Sequence, residues 1–137
     1  MLMKTIPRRA ATALECALVY PVIFFFVIGM LVGAMGMFRY QEVAWLAREG
    51  ARYASVHGAK YQAVTGNAAA TASDVYTNAI LPKITGLDPN NLSYQVTWNP
   101  DNQPGSTVTV TISYTWVPEA FLGTATLKST SVVAMSY

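Results

Sequence analysis

Glu15 is the residue of this chain whose position demands a chemical explanation. It stands between the basic pair Arg8-Arg9 and a run, 16–38, in which no residue carries a charge. A carboxylate at the lip of such a run bears a desolvation cost unless a partner offsets it. The chemistry it offers is charge pairing, because no recognisable catalytic motif accompanies it. His57 is the one histidine and Cys16 the one cysteine, too few for a usual zinc site of three or four ligands and for an intrachain disulfide. No nucleophile elbow, dinucleotide fingerprint or phosphate-binding loop occurs. The expectation is no enzyme, no cofactor, no metal and no small-molecule substrate. Cys16 opens the apolar run, whereas a lipidated cysteine follows one, so it reads as a small apolar residue. His57 beside Gly58 marks a helix end, where its ring meets the final carbonyls.

The element that positions Glu15 is the apolar run itself. As a helix, 16–38 covers about 34 Å, enough for a bilayer core. Lys4, Arg8 and Arg9 precede it with no acidic residue among them, whereas Arg39, Glu42, Arg48, Glu49 and Arg52 mix both signs beyond it. The positive-inside rule then gives a single-pass protein with a cytoplasmic N-terminus and a C-terminal domain in the periplasm or outside the cell. A net charge of +2, sparse and partly gathered near the helix, points to a membrane partner and away from nucleic acid. A cleaved secretory signal is the competing reading, since Ala34-Met35-Gly36 supplies small residues two apart. The run exceeds the roughly 7–15 residues of such a signal, and Glu15 interrupts its approach.

Within the helix Pro21 predicts a kink near Tyr20. Gly29, Gly33 and Gly36 recur at helical spacing with Ala34 close by, leaving a strip without bulk. Either glycine is simply frequent in membrane helices, or the strip packs laterally against sister helices. The helix continues outside the membrane over 39–56, with Leu46, Gly50, Tyr53 and Ala54 on one face. On its charged face Arg48, Glu49 and Arg52 are either solvated or a docking surface.

The sequence over 57–70 is small and polar and reads as a connector. Thr71 and Asp74 form a capping-box pattern at the start of a short helix, 71–81, which Pro82 ends. The period then changes. Over 92–98 the residues Leu92, Tyr94, Val96 and Trp98 alternate with polar ones, and 107–116 repeats the pattern with Val108, Val110, Ile112, Tyr114 and Trp116. A third strand over 125–137 puts Leu127, Val133, Met135 and Tyr137 on its inner face. Short connections allow only antiparallel pairing. The fold class is α+β: a long N-terminal transmembrane helix extended beyond the membrane, a short second helix, and a three-stranded antiparallel sheet covered on one face by the helices. The divisions are a basic leader at 1–10, the span at 11–38 and an extracytoplasmic domain at 39–137. Asn91-Leu92-Ser93 matches a glycosylation acceptor, but its leucine belongs to the core face. Tyr61 and Phe121 are single exposed aromatics with no clustering to mark a groove.

The order of basic pair, small residues, glutamate and proline-containing apolar helix resembles the N-terminus of type IV prepilins and pseudopilins. More closely, the chain resembles TadE-like proteins. Arg8-Arg9-Ala10-Ala11-Thr12-Ala13-Leu14-Glu15-Cys16-Ala17-Leu18, with Pro21, carries one part of the likeness. Ala47-Arg48-Glu49-Gly50-Ala51-Arg52-Tyr53-Ala54 carries the other. The resemblance implies a minor pseudopilin of the bacterial inner membrane that helps assemble a tight-adherence (Flp, type IV-like) pilus for surface attachment and biofilm formation. Its partners would be other pilins and pseudopilins, pilus assembly proteins and a prepilin peptidase. The family pattern puts cleavage between Ala10 and Ala11, with alanine where glycine is commonest, and makes Glu15 the fifth mature residue. There its carboxylate would meet the N-terminal amine of a neighbouring subunit. The alternatives are an unprocessed, membrane-anchored periplasmic interaction module and a secreted domain released after Gly36.

Overall fold

The computed structural model describes residues 8–118 and 123–136, with side chains from residue 12 onward. Residues 1–7 of the leader expected at 1–10, the Phe121-Leu122 pair and Tyr137 lie outside the described residues. Compactness divides the chain into two units between Met35 and Gly36.

The first unit is the N-terminal part of helix α1, Arg8–Val56, which continues through Pro21 without interruption. Phe24, Phe25, Phe26, Met30 and Leu31 all stand exposed. The most apolar window is not buried within the chain. A soluble helix hides its apolar stripe against a core, whereas a helix apolar all round suits a lipid environment. This is a helix long and apolar enough to cross a membrane.

The second unit is built on the rest of α1. Val43, Leu46, Ala47, Gly50, Ala51 and Ala54 recur at helical spacing and are all buried, the stripe that an amphipathic helix turns to its core. Against it lies one antiparallel sheet in the order β1-β2-β3, formed by β1 Leu92–Asn99, β2 Thr107–Trp116 and β3 Ala125–Ala134. Val110 pairs with Val96 on one side and Ser131 on the other. β2 is the central strand, and its Val108, Val110 and Ile112 are wholly buried, each contributing about 1.5–3 kcal/mol of burial. At Gly50 the covers meet: a Cβ there would lie 3.2 Å from Val110 Cγ1 and 3.3 Å from Ile80 Cδ1. The α+β class with a three-stranded antiparallel sheet is therefore as the sequence predicts.

Four local features differ from expectation. The connector at 57–70 contains a seven-residue helix, α2 Ala59–Thr65, which buries none of its residues. It is held by Ala59 N–H donating to Asn102 O at 2.9 Å and Ala70 N–H donating to His57 O at 2.8 Å. Without an apolar stripe, its sequence carries no helical period. The helix expected over 71–81 is composite. α3 Ala72–Val75 has the full capping box, then widens to a π-helical segment, Tyr76–Ile80, and tightens to a 3-10 turn, Leu81–Lys83. Tyr94 is part-exposed on β1, its ring stacked on Tyr76 at 4.4 Å between centroids. Finally, β3 ends at Ala134, and Met135 is buried just beyond it, where its N–H donates to Ser106 O at 2.8 Å.

Candidate functional site

Ala10 and Ala11 lie in the first turn and a half of α1, whose backbone is helical from Arg8. Glu15 is exposed one turn further on, flanked by Leu14, Ala17 and Leu18. No described residue forms an ion pair with it. Cys16 is half-buried beside it and is a free thiol.

The glycine strip separates into two parts. A Cβ at Gly29 or Gly33 would meet nothing within 4 Å. A Cβ at Gly36 would stand 2.7 Å from Trp116 Cζ3. Gly36 therefore differs from the expected role as part of one open strip. Its missing side chain makes room for the indole at the end of β2, a requirement of the domain's own packing.

The charged face of α1 is organised by the loop that follows α3. Arg39 Nη1 donates to Gly86 O at 2.8 Å, and Thr85 N–H donates to Glu42 Oε1 at 2.7 Å. Lys83 Nζ pairs with Glu49 Oε2 at 2.8 Å, and Arg52 Nη2 reaches the same oxygen at 3.0 Å. The hydrogen bond from Lys83, followed by that from Arg52, holds the Glu49 carboxyl below its ordinary value. Of the three residues expected as a solvated or docking face, Glu49 is thus occupied inside the domain, with its side chain 20% exposed. Arg52 is 73% exposed, and Arg48 is exposed with its Nε donating to Ala44 O at 3.2 Å.

Between this face and the strapped loop runs an open groove of about 610 Å³, with Phe38, Trp45 and Arg48 on the helix side and Lys83 and Thr85 on the loop side. Lys83 Nζ lies 5.7 Å from the Trp45 ring centre, within reach of a cation–π attraction. Glu42 Oε2 is shielded from solvent and has no hydrogen-bond partner among the described residues. Sequence reasoning did not find the groove. The signal available was that Phe38, Glu42, Trp45 and Glu49 recur at helical spacing on one face. Lys83 and Thr85 come from a distant loop that carries no such signal.

At the end of α1 the His57 ring stacks on Tyr53 at 4.0 Å and meets Tyr61 at 4.7 Å between centroids. Its Nδ1 lies 2.8 Å from Tyr53 O, the helix-end contact the sequence predicts. The described residues contain no His, Cys, Asp and Glu group arranged to hold a metal ion.

A family model described as TadE-like protein matches residues 10–52, under a third of the chain. The matched stretch holds Ala10, Glu15, the three span glycines and the Arg48-Glu49-Gly50-Ala51-Arg52 block, and stops before α2 and the sheet. It agrees with the resemblance drawn from the sequence. Neither a curated protein nor a solved structure matches the chain significantly.

Proposed function

We propose that this chain is a membrane-anchored minor pseudopilin of a tight-adherence pilus system, a structural subunit that takes part in fibre assembly, attachment and biofilm formation. The single observation that carries this is the TadE-like match over residues 10–52, which falls on the exposed apolar helix and includes Glu15. In this role α1 crosses the inner membrane with its N-terminus in the cytoplasm, where the basic residues favour it. The sheet domain then faces the periplasm. A prepilin peptidase cuts between Ala10 and Ala11, and Glu15 pairs with the new amino terminus of a neighbouring subunit. Gly29 and Gly33, open on α1, are the places where a sister helix packs closely, by van der Waals contact that small residues permit. Arg48 and Arg52 dock other assembly proteins.

N-terminal sequencing of the membrane-extracted protein tests the processing step. A mature chain beginning at Ala11 is expected. An intact Met1 end would favour a second reading, an unprocessed periplasmic interaction module, which the alanine before the cleavage point specifically supports. The charge pair has its own test. Removing one partner of a desolvated pair costs about 3–5 kcal/mol, so Glu15→Gln should abolish pilus assembly while the protein still resists alkaline extraction from membranes. Normal piliation in that variant would overturn the pairing.

A further inference from the structure

We infer that the polar pocket where α1, α2 and α3 meet is a receptor for the arginine side chain of a partner protein. The inference uses only the unit Gly36–Tyr137 and rests on neither the membrane reading of α1 nor leader processing.

The pocket has a volume of about 280 Å³. Its wall takes Tyr53 and His57 from the end of α1, Tyr61 from α2, Asn67 from the connector, Asp74 from α3 and Asn78 from the π-helical segment. Core packing does not account for this construction. Helix α2 buries none of its residues, yet its Tyr61 meets the His57 ring at 4.7 Å between centroids, and the Tyr61 hydroxyl accepts from Asn67 Nδ2 at 3.3 Å. Turns of π-helix are rare and occur frequently at functional sites. The one here carries Asn78 to the pocket. Asn67, Asp74 and Asn78 are all exposed, so a partner reaches them without disturbing the fold.

The charges select a cation. Asp74 is the formally charged residue of the lining, which contains neither lysine nor arginine among the described residues. Thr71, through its hydroxyl first and then its amide, bonds Asp74 Oδ2 and holds the carboxyl below its ordinary value. The other oxygen, Oδ1, is left open. His57 Nδ1 lies 2.8 Å from Tyr53 O, and a carbonyl only accepts, so Nδ1 carries the proton and Nε2 of the neutral ring is an acceptor. Asn67 commits its Nδ2 to Tyr61 and keeps its carbonyl oxygen. The wall is therefore rich in acceptors and bears one negative charge, the complement of a cationic donor. Guanidinium suits it better than ammonium. Its planar fork of N–H groups meets acceptors spread over several elements, and its flat face lies against aromatic rings. The volume falls below the roughly 300–1,000 Å³ of sites for drug-sized molecules, which is room for a side chain brought by a protein.

The test follows His57, the one histidine of the chain, whose imidazole NMR signals report on the pocket without ambiguity. The untagged full chain in detergent micelles is titrated with the peptide acetyl-Gly-Arg-Gly-amide, with the same peptide carrying citrulline for arginine, and with spermidine. The arginine peptide should shift the ring signals saturably. Citrulline, which keeps the shape and loses the charge, should bind at least about tenfold more weakly. Asp74→Asn should weaken the arginine peptide about tenfold, and Asn78→Ala, which leaves the Thr71-Asp74 cap in place, about fivefold with unchanged thermal unfolding. No shift with the arginine peptide, equal binding of the citrulline peptide, or undiminished binding in Asn78→Ala would overturn the receptor. Spermidine binding as tightly as the peptide would overturn the protein partner and give the pocket to a free polyamine.

Discussion

A Cβ on Gly36 would sit 2.7 Å from Cζ3 and 3.0 Å from Cη2 of Trp116. Trp116 ends β2 and is buried, with its Nε1 lacking a partner among the described residues. The indole is large and has packed neighbours, so it cannot step aside cheaply. Gly36→Val should destabilise the domain by about 1–3 kcal/mol, the usual cost of overpacking. Gly33→Val, which meets open space, should leave domain unfolding unchanged. Thermal unfolding of the full chain in detergent, followed by tryptophan fluorescence, separates the two. Equal behaviour of the variants would refute the distinction between an internal glycine and an open one.

Glu49 ties Arg52 and Lys83 to one oxygen, and so ties the loop at 81–87 to α1. Its carboxyl titrates below the ordinary value because these two donors favour the charged form, Lys83 most. A carboxyl whose folded value is depressed contributes stability above its unfolded value, and loses it as pH falls through the folded one. At neutral pH, Glu49→Gln should therefore be less stable than the parent, by about 0.2–1 kcal/mol for each pair lost. On acidification below the normal carboxylate range the difference should close. Denaturation midpoints of both proteins from pH 7 down to pH 3 check this, and a gap that widens in acid would reverse the assignment.

The parts of the molecule legible in the sequence are those with a strong local period. Strand β2 alternates without exception from Thr107 to Trp116, and its buried residues are the ones that alternation selects. The stripe through Leu46, Gly50 and Ala54 likewise gives the core face of α1. Helix α2 was not legible because it buries nothing, and burial is what imprints a period. The π-helical widening at Tyr76–Ile80 left no mark in composition. At the candidate site, Glu15 stands out because an acid beside an uncharged run is anomalous on its own. The groove is illegible for the opposite reason: Glu42, Glu49 and Arg39 look like an ordinary solvated face. Their partners Thr85, Lys83 and Gly86 become neighbours only through the tertiary fold.

Thr71 and Asp74 are the remaining pair with a measurable consequence. Thr71 Oγ1 accepts from the Asp74 amide at 3.3 Å, and Asp74 Oδ2 accepts from the Thr71 amide at 2.9 Å and from its hydroxyl at 2.7 Å. Those bonds, the hydroxyl's first, lower the Asp74 carboxyl below its ordinary value. The cap starts a short helix that carries Val75 and, one turn later, Ala79 and Ile80 into the core under α1. Four residues of α-helix cannot persist without such a start, since nucleation is the costly step. Thr71→Ala should lower stability to chemical denaturation by about 1 kcal/mol, with a slope against denaturant unchanged, and Thr71→Ser should restore most of it. Because the Asp74 value is depressed, the advantage of the parent over Thr71→Ala should be full above the normal carboxylate range and diminish as pH falls through it. An alanine variant as stable as the parent at neutral pH would mean that packing of Val75 and Ile80 alone holds this segment in place.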